Sequence, residues 1–380
     1  MMKICNVSIL TPRNTLEKAT LSIEAGMIAE ILPPQGCSGS ADIDAEGWIV
    51  SPGWIDLQIN GGFGNDLTTD PDRLWEVAAQ LPRFGVTGFL PTIITSTTET
   101  YDKAISIIKS GPPVGWKGAK PFGWHFEGPF LNPGKKGAHN PDCLRLPDRG
   151  NVSGWSRKNG VAMVTMAPEL PGAEEVARQL LEAGVTLSMG HSLATVEETR
   201  RAVSCGFTAA THLFNAMPAL DHRAPGLAGE TLVNHAITAG IIADGQHVHP
   251  DMVKTAWKMK SPDKIVLVSD AVGALGMPPG EFLQGGMEII VSQDSAKLKN
   301  GTLAGSVLKL DQALRNVMEY TGEPIEQVLP ALGVNQSRLL RLEKYGEIAE
   351  GYHADLTFVD ALGNLKMTLV GGDILYWSDR

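Results

Sequence analysis

From Pro52 onward the chain alternates short apolar runs with helical stretches, and this alternation constrains the fold more than any other feature. The runs are Ile55 to Ile59, Val86 to Leu90, Pro121 to Phe126, Val161 to Met166, Val185 to Met189, Thr208 to His212, Ile237 to Ala243 and Ile265 to Ser269. Helical patterns separate most of them: Asp72 to Phe84, Thr98 to Lys109, Ala173 to Ala183, Val196 to Cys205 and Asp251 to Lys260. Strand followed by crossover helix is the repeat of a parallel sheet, and eight such strands close into an α/β structure of the (β/α)8 TIM-like barrel type. An open doubly wound sheet is the alternative. No Gly-x-Gly-x-x-Gly or Gly-Lys-Ser/Thr loop follows the first run, which weakens a nucleotide-binding reading.

The two ends read differently. Ile4 to Leu10, Ala19 to Glu24, Ile28 to Leu32 and Ile43 to Val50 are strand-like, as are Ala354 to Val359 and Leu365 to Leu375 near the other terminus. The expectation is a small discontinuous β-sandwich domain built from both termini, residues 1–51 and 346–380, flanking a barrel over 52–345. Within 273–305, Met287 to Val291 and Lys297 to Leu303 suggest a hairpin insertion, followed by helices over Val307 to Tyr320, Ile325 to Leu332 and Gln336 to Leu342. A chain of 380 residues is long enough for both units.

A formal charge of -10 argues against nucleic acid or an anionic membrane as partner, while leaving room for a local basic pocket. The four cysteines, Cys5, Cys37, Cys143 and Cys205, show no Cys-x-x-Cys spacing and are expected to be reduced thiols. With no signal-like N-terminus and no apolar run of membrane-spanning length, a cytoplasmic location is expected.

Polar residues fall where those runs end. Trp124-His125-Phe126-Glu127 puts His125 and Glu127 on one face of a strand, and Gly128-Pro129 then breaks it. Gly190-His191-Ser192 ends the fifth run, Thr211-His212 the sixth and Ser269-Asp270-Ala271 the eighth. Catalytic residues of barrels sit at the carboxyl ends of several strands, so these side chains converge on one rim. A lone histidine on an apolar strand is usually a satisfied core residue; Glu, His, His and Asp at equivalent ends are harder to dismiss. One oxygen and two nitrogens suit a catalytic zinc ion, and the cation would offset the cost of burying Glu127. Asp270 can then take a proton from the attacking water. His247, after Asp244-Gly245-Gln246, faces the same rim; His139, in the loop after Glu127, is expected among the substrate contacts that loops on this face carry, and Arg223, in the loop after His212, is expected to act as an anion receptor.

The residues Pro52-Gly53-Trp54-Ile55-Asp56, His125-Phe126-Glu127-Gly128-Pro129, Lys136-Gly137-Ala138-His139-Asn140, Gly190-His191-Ser192, Thr211-His212-Leu213-Phe214-Asn215-Ala216-Met217, Asp244-Gly245-Gln246-His247, Ser269-Asp270-Ala271 and Gly301-Thr302-Leu303-Ala304-Gly305-Ser306 carry a resemblance. The chain resembles the amino-sugar-phosphate deacetylases of the amidohydrolase superfamily, nearly end to end. The resemblance implies hydrolysis of N-acetyl-D-glucosamine 6-phosphate to D-glucosamine 6-phosphate and acetate. It implies Glu127, His191 and His212 as metal ligands, Asp270 as general base and then acid, and His139 at the acetamido carbonyl. Ala138, Asn215, Ala216, Arg223, His247, Leu303, Ala304 and Gly305 would contact substrate, with Arg223 supplied to the neighbouring site of a homodimer.

One departure matters. Many superfamily members carry His-x-His at the end of the first strand, where this chain has Gln58-Ile59-Asn60. Amides are weak zinc ligands and good partners for water or sugar. One divalent ion per subunit is therefore expected, with zinc suiting the donors best and Fe2+, Co2+ or Mn2+ able to occupy the same set. His125 stays open as a ligand or as a partner of one. An epimeric substrate such as N-acetylgalactosamine 6-phosphate, or a non-catalytic binding protein on the same scaffold, is the alternative.

Overall fold

In the computed structural model, which describes residues 1–10, 15–33 and 41–378, the eight runs form eight parallel strands. They are β1 (Trp54–Ile59), β2 (Val86–Ile94), β3 (Trp124–Glu127), β4 (Val161–Met166), β5 (Thr186–Met189), β6 (Ala209–Ala210), β7 (Thr238–Ile241) and β8 (Ile265–Leu267), paired in chain order. All nine residues of β2 and all six of β4 are buried. Such unbroken apolar runs, rather than an alternation, are what strands covered on both faces require.

The barrel closes between β1 and β8 with little backbone pairing. Ile59 bridges Ala271, and the Asn60 N–H donates to the Ala271 carbonyl at 2.8 Å. The Asp56 carboxylate adds a side-chain clasp, accepting the Ser269 N–H at 3.1 Å.

Helix ends follow local chemistry. Thr97 caps Thr98–Ser110 by accepting from the Thr100 N–H, and Thr195 with Glu198 forms a capping box on Val196–Ser204. The stretch expected as one helix over Asp72 to Phe84 is an α-helix, Leu74–Gln80, between short 3-10 turns, because Pro82 lacks the N–H that a continuing helix needs. A further helix, Gly226–Val233, precedes β7. Its two glycines and its burial over nearly every face hide it from propensity and periodicity alike. The insertion is a three-stranded antiparallel sheet, Gly280–Gln284, Met287–Val291 and Ala296–Leu298, one strand more than a hairpin.

Strands from both chain ends share one continuous eight-stranded sheet, in which Leu356–Val359 pairs antiparallel with Ile49–Pro52. Its own core gathers Ile4, Val7, Leu21, Ile28, Val50, Phe358 and Met367. The last run divides at Gly371-Gly372, both at positive φ, into the hairpin Leu365–Val370 and Asp373–Trp377. Cys143 and Cys205 are free thiols, but Cys5 is disulfide-bonded, which corrects the expectation of four reduced thiols; Cys37 lies outside the described residues. Among the described residues, no helix is long and apolar enough to cross a membrane.

Candidate active site

The strand ends converge on a cavity of about 320 Å³ lined by Glu127, His139, His191, His212, His247 and Asp270. Local backbone geometry aims three of these side chains. His191, His212 and Asp270 all have positive φ, at 49°, 33° and 53°. Side chains rarely adopt that region, and here each turns the chain sharply as it leaves its strand. Gly128, also at positive φ, leaves β3 so close to Thr95 that a Cβ would sit 2.3 Å from its hydroxyl oxygen. Glycine is therefore required where the chain departs toward His139.

Glu127 is the hub. Its Oε1 lies 3.0 Å from His212 Nε2 and 3.3 Å from His191 Nε2, and its Oε2 is 3.5 Å from His139 Nε2. Burial alone would raise its pKa, but the three histidines facing it hold the carboxyl well below the usual range. Burial pushes His191 down to about 4, so it is neutral near pH 7. Burial also opposes charge on His212, yet Glu127 outweighs it and raises that pKa.

Hydrogen bonds assign the free nitrogens. His191 Nδ1–H donates to the Lys135 carbonyl at 2.8 Å, leaving the Nε2 lone pair facing Glu127 and His212. His139 is the reverse: the Thr95 N–H donates to its Nδ1 at 3.2 Å, so Nε2 carries the proton. Glu127, His139 and His191 each present a possible ligand atom within 4.8 Å of one another. However, the protonated Nε2 makes His139 a donor rather than a ligand in this arrangement. The Nε2 atoms of His191 and His212, 3.1 Å apart beside Glu127 Oε1, fit a divalent cation better.

His125, the open case, is occupied elsewhere. Its Nδ1 donates to the Leu57 carbonyl at 3.1 Å, and its Nε2 accepts from the Thr165 hydroxyl at 2.7 Å. Burial lowers its pKa to about 4. Gln58 and Asn60 each hold a carboxylate: Gln58 Nε2 donates to Glu127 Oε1 at 3.0 Å and Asn60 Nδ2 to Asp270 Oδ1 at 2.7 Å. Burial, then the charge of Glu127, pushes Asp270 up to about 6, which suits a group that both accepts and returns a proton.

Ala138, Asn215, Ala216, Leu303, Ala304 and Gly305 also line the cavity, whereas Arg223 is exposed and does not. His247 Nδ1 donates to Asp244 Oδ2 at 2.7 Å, which fixes its ring at the cavity edge. Sequence reasoning missed Lys135, Gln284 and Thr302 on the same wall. Lys135 lies between Glu127 and His139 in sequence and could have been suspected from that position. Gln284 ends the unrecognised strand of the insertion, where the sequence offered no signal.

A parallel barrel with Glu, His, His and Asp at its strand ends defines a metal-dependent hydrolase scaffold, and the chain belongs to the amidohydrolase family, whose model matches residues 49–375. The N-acetylglucosamine-6-phosphate deacetylase of Lysinibacillus sphaericus is 33% identical over 374 residues, covering 98% of this chain and 97% of that protein. The N-acetylgalactosamine-6-phosphate deacetylase of Escherichia coli O157:H7 is 32% identical over 372 residues, covering 96% and 97%. The crystal structure of N-acetylglucosamine-6-phosphate deacetylase from Pasteurella multocida superposes with a TM-score of 0.91 at 29% identity, covering 98% of this chain and 99% of that one.

Proposed function

We propose that the protein hydrolyses N-acetyl-D-glucosamine 6-phosphate to D-glucosamine 6-phosphate and acetate. The observation that carries this reading is the convergence of Glu127, His191, His212, His139 and Asp270 in one cavity, with the proton of His139 and of His191 placed by a backbone partner of each ring. Glu127, His191 and His212 would hold one divalent ion, with zinc the best match to two nitrogens and an oxygen and Fe2+, Co2+ or Mn2+ compatible. When bound, that ion supplies Lewis acidity and an activated water at neutral pH.

Asp270, held by Asn60, takes the proton as water adds to the amide carbonyl and returns it to the leaving nitrogen. That return is required because an amine does not depart as an anion. His139 offers its Nε2–H to the carbonyl oxygen as charge develops there. Ala138, Asn215, Ala216, His247 and Leu303 to Gly305 would shape the sugar site. Arg223, exposed in its own chain, would serve the neighbouring site of a homodimer. The reading also takes residues 1–51 with 346–380 as one unit and 52–345 as the barrel, and places the enzyme in the cytoplasm.

The Escherichia coli relative favours a second reading, in which the galactose epimer is the substrate. Acetate release from the two epimeric 6-phosphates and from unphosphorylated N-acetylglucosamine, with bound metal counted in the same preparation, separates them. A faster rate on the galactose epimer would overturn the first reading.

A further inference from the structure

Lys135 is the one lysine or arginine among the described residues that line the cavity. It is half-buried, and among the described residues no carboxylate lies within 4.0 Å of its ammonium. Its Nζ donates to the Met217 carbonyl at 2.8 Å, beside Asn215 and Ala216 on the cavity wall. An ammonium has three donors, so two remain for a ligand. The same residue accepts the His191 Nδ1–H on its backbone carbonyl at 2.8 Å, so it is seated next to the reacting centre by main chain and side chain together.

Charge makes this placement informative. The chain carries a net -10, and the cavity also contains Glu127 and Asp270. A phosphorylated sugar entering it meets carboxylates in a partly desolvated site, where repulsion is screened less than in water. Arg223 is exposed and off the cavity wall within its own chain. We propose that Lys135 is a phosphate-binding cation supplied in cis, which makes the site selective for a phosphorylated over an unphosphorylated amino sugar. This inference rests on the deacetylase reading above. The plainer role, a tie between the 131–139 and 213–217 segments, needs only a donor to the Met217 carbonyl and no charge.

The test compares kcat/KM on N-acetylglucosamine 6-phosphate and on N-acetylglucosamine for the wild type, Lys135→Gln and Lys135→Arg, with metal content measured for each. Glutamine keeps a donor and removes the charge; arginine keeps the charge. The expected result is that Lys135→Gln lowers the ratio of the two kcat/KM values by roughly ten- to hundredfold, the range for losing a hydrogen bond to a charged group. Lys135→Arg recovers most of that ratio. Inhibition by inorganic phosphate weakens in Lys135→Gln and returns in Lys135→Arg. A ratio and a phosphate inhibition constant that stay put in Lys135→Gln overturn the inference, even if both rates fall, because loop positioning alone lowers both substrates together. A wild type that acts equally on both sugars overturns the substrate reading itself, and the inference with it.

Discussion

The two sides of the barrel mouth solve opposite problems. At the ends of β3, β5 and β6, Glu127, His191 and His212 crowd donor atoms within 3.3 Å of one another. At the end of β1, Gln58 and Asn60 turn amide N–H groups onto the carboxylates of Glu127 and Asp270. The first arrangement concentrates lone pairs and so invites a cation. The second supplies positive dipole to the same carboxylates through neutral amides, which are weak ligands for zinc. On the proposed reading, the barrel mouth divides into a half that would hold the cation and a half that would steady its ligand Glu127 and the proton carrier Asp270.

Three substitutions and one wild-type pH profile probe that division, taken from the largest expected effect down. Asp270→Asn should lower kcat by about 10²–10⁴-fold while metal content is retained, since Asp270 moves protons and lies outside the ligand set. Steady-state kinetics with metal analysis decides; an active variant removes Asp270 from its role. Gln58→Leu should weaken metal affinity by roughly 10–100-fold, the usual cost of losing a hydrogen bond that orients a ligand, and competition with a chelator measures it.

Asn60→Leu should leave metal affinity near wild type and move the acid limb of kcat/KM to higher pH. The Asn60 N–H favours the Asp270 carboxylate, so removing it raises that pKa. The smallest effect concerns the wild type. Asp270 must be deprotonated to act, so activity rises with pH through its pKa. Burial and then Glu127 push that pKa up to about 6, and a cation at Glu127 offsets the second cause. The acid limb of metal-loaded enzyme should therefore lie below pH 6. A limb well above pH 6 would count against a cation beside Glu127.

Much of this was legible in the sequence because barrel strands covered on both faces read as solid apolar runs, and a polar residue ending such a run stands out. Glu127, His191, His212 and Asp270 each follow that rule. Elements whose signal is chemical rather than periodic were harder. The helix Gly226–Val233 is apolar around most of its surface and carries glycine. The strand Gly280–Gln284 is largely exposed, so no buried face marked it or the Gln284 it carries. Gly371-Gly372 was a readable hairpin signal that the surrounding apolar run concealed. The left-handed backbone at His191, His212 and Asp270 had no signature, because glycine or asparagine would ordinarily mark it. The occupancy of both His125 nitrogens depends on Leu57 in β1 and Thr165 in β4, both far from it in sequence, and no local pattern foretells it.

The central claim is that one cation, held by Glu127, His191 and His212, supports amide hydrolysis with Asp270. Titrating metal-stripped protein with zinc while following acetate release from N-acetylglucosamine 6-phosphate tests it most directly. The account predicts no turnover without metal and a rate that saturates at one equivalent per chain. Saturation only at two equivalents, or full turnover by the stripped protein, would contradict it.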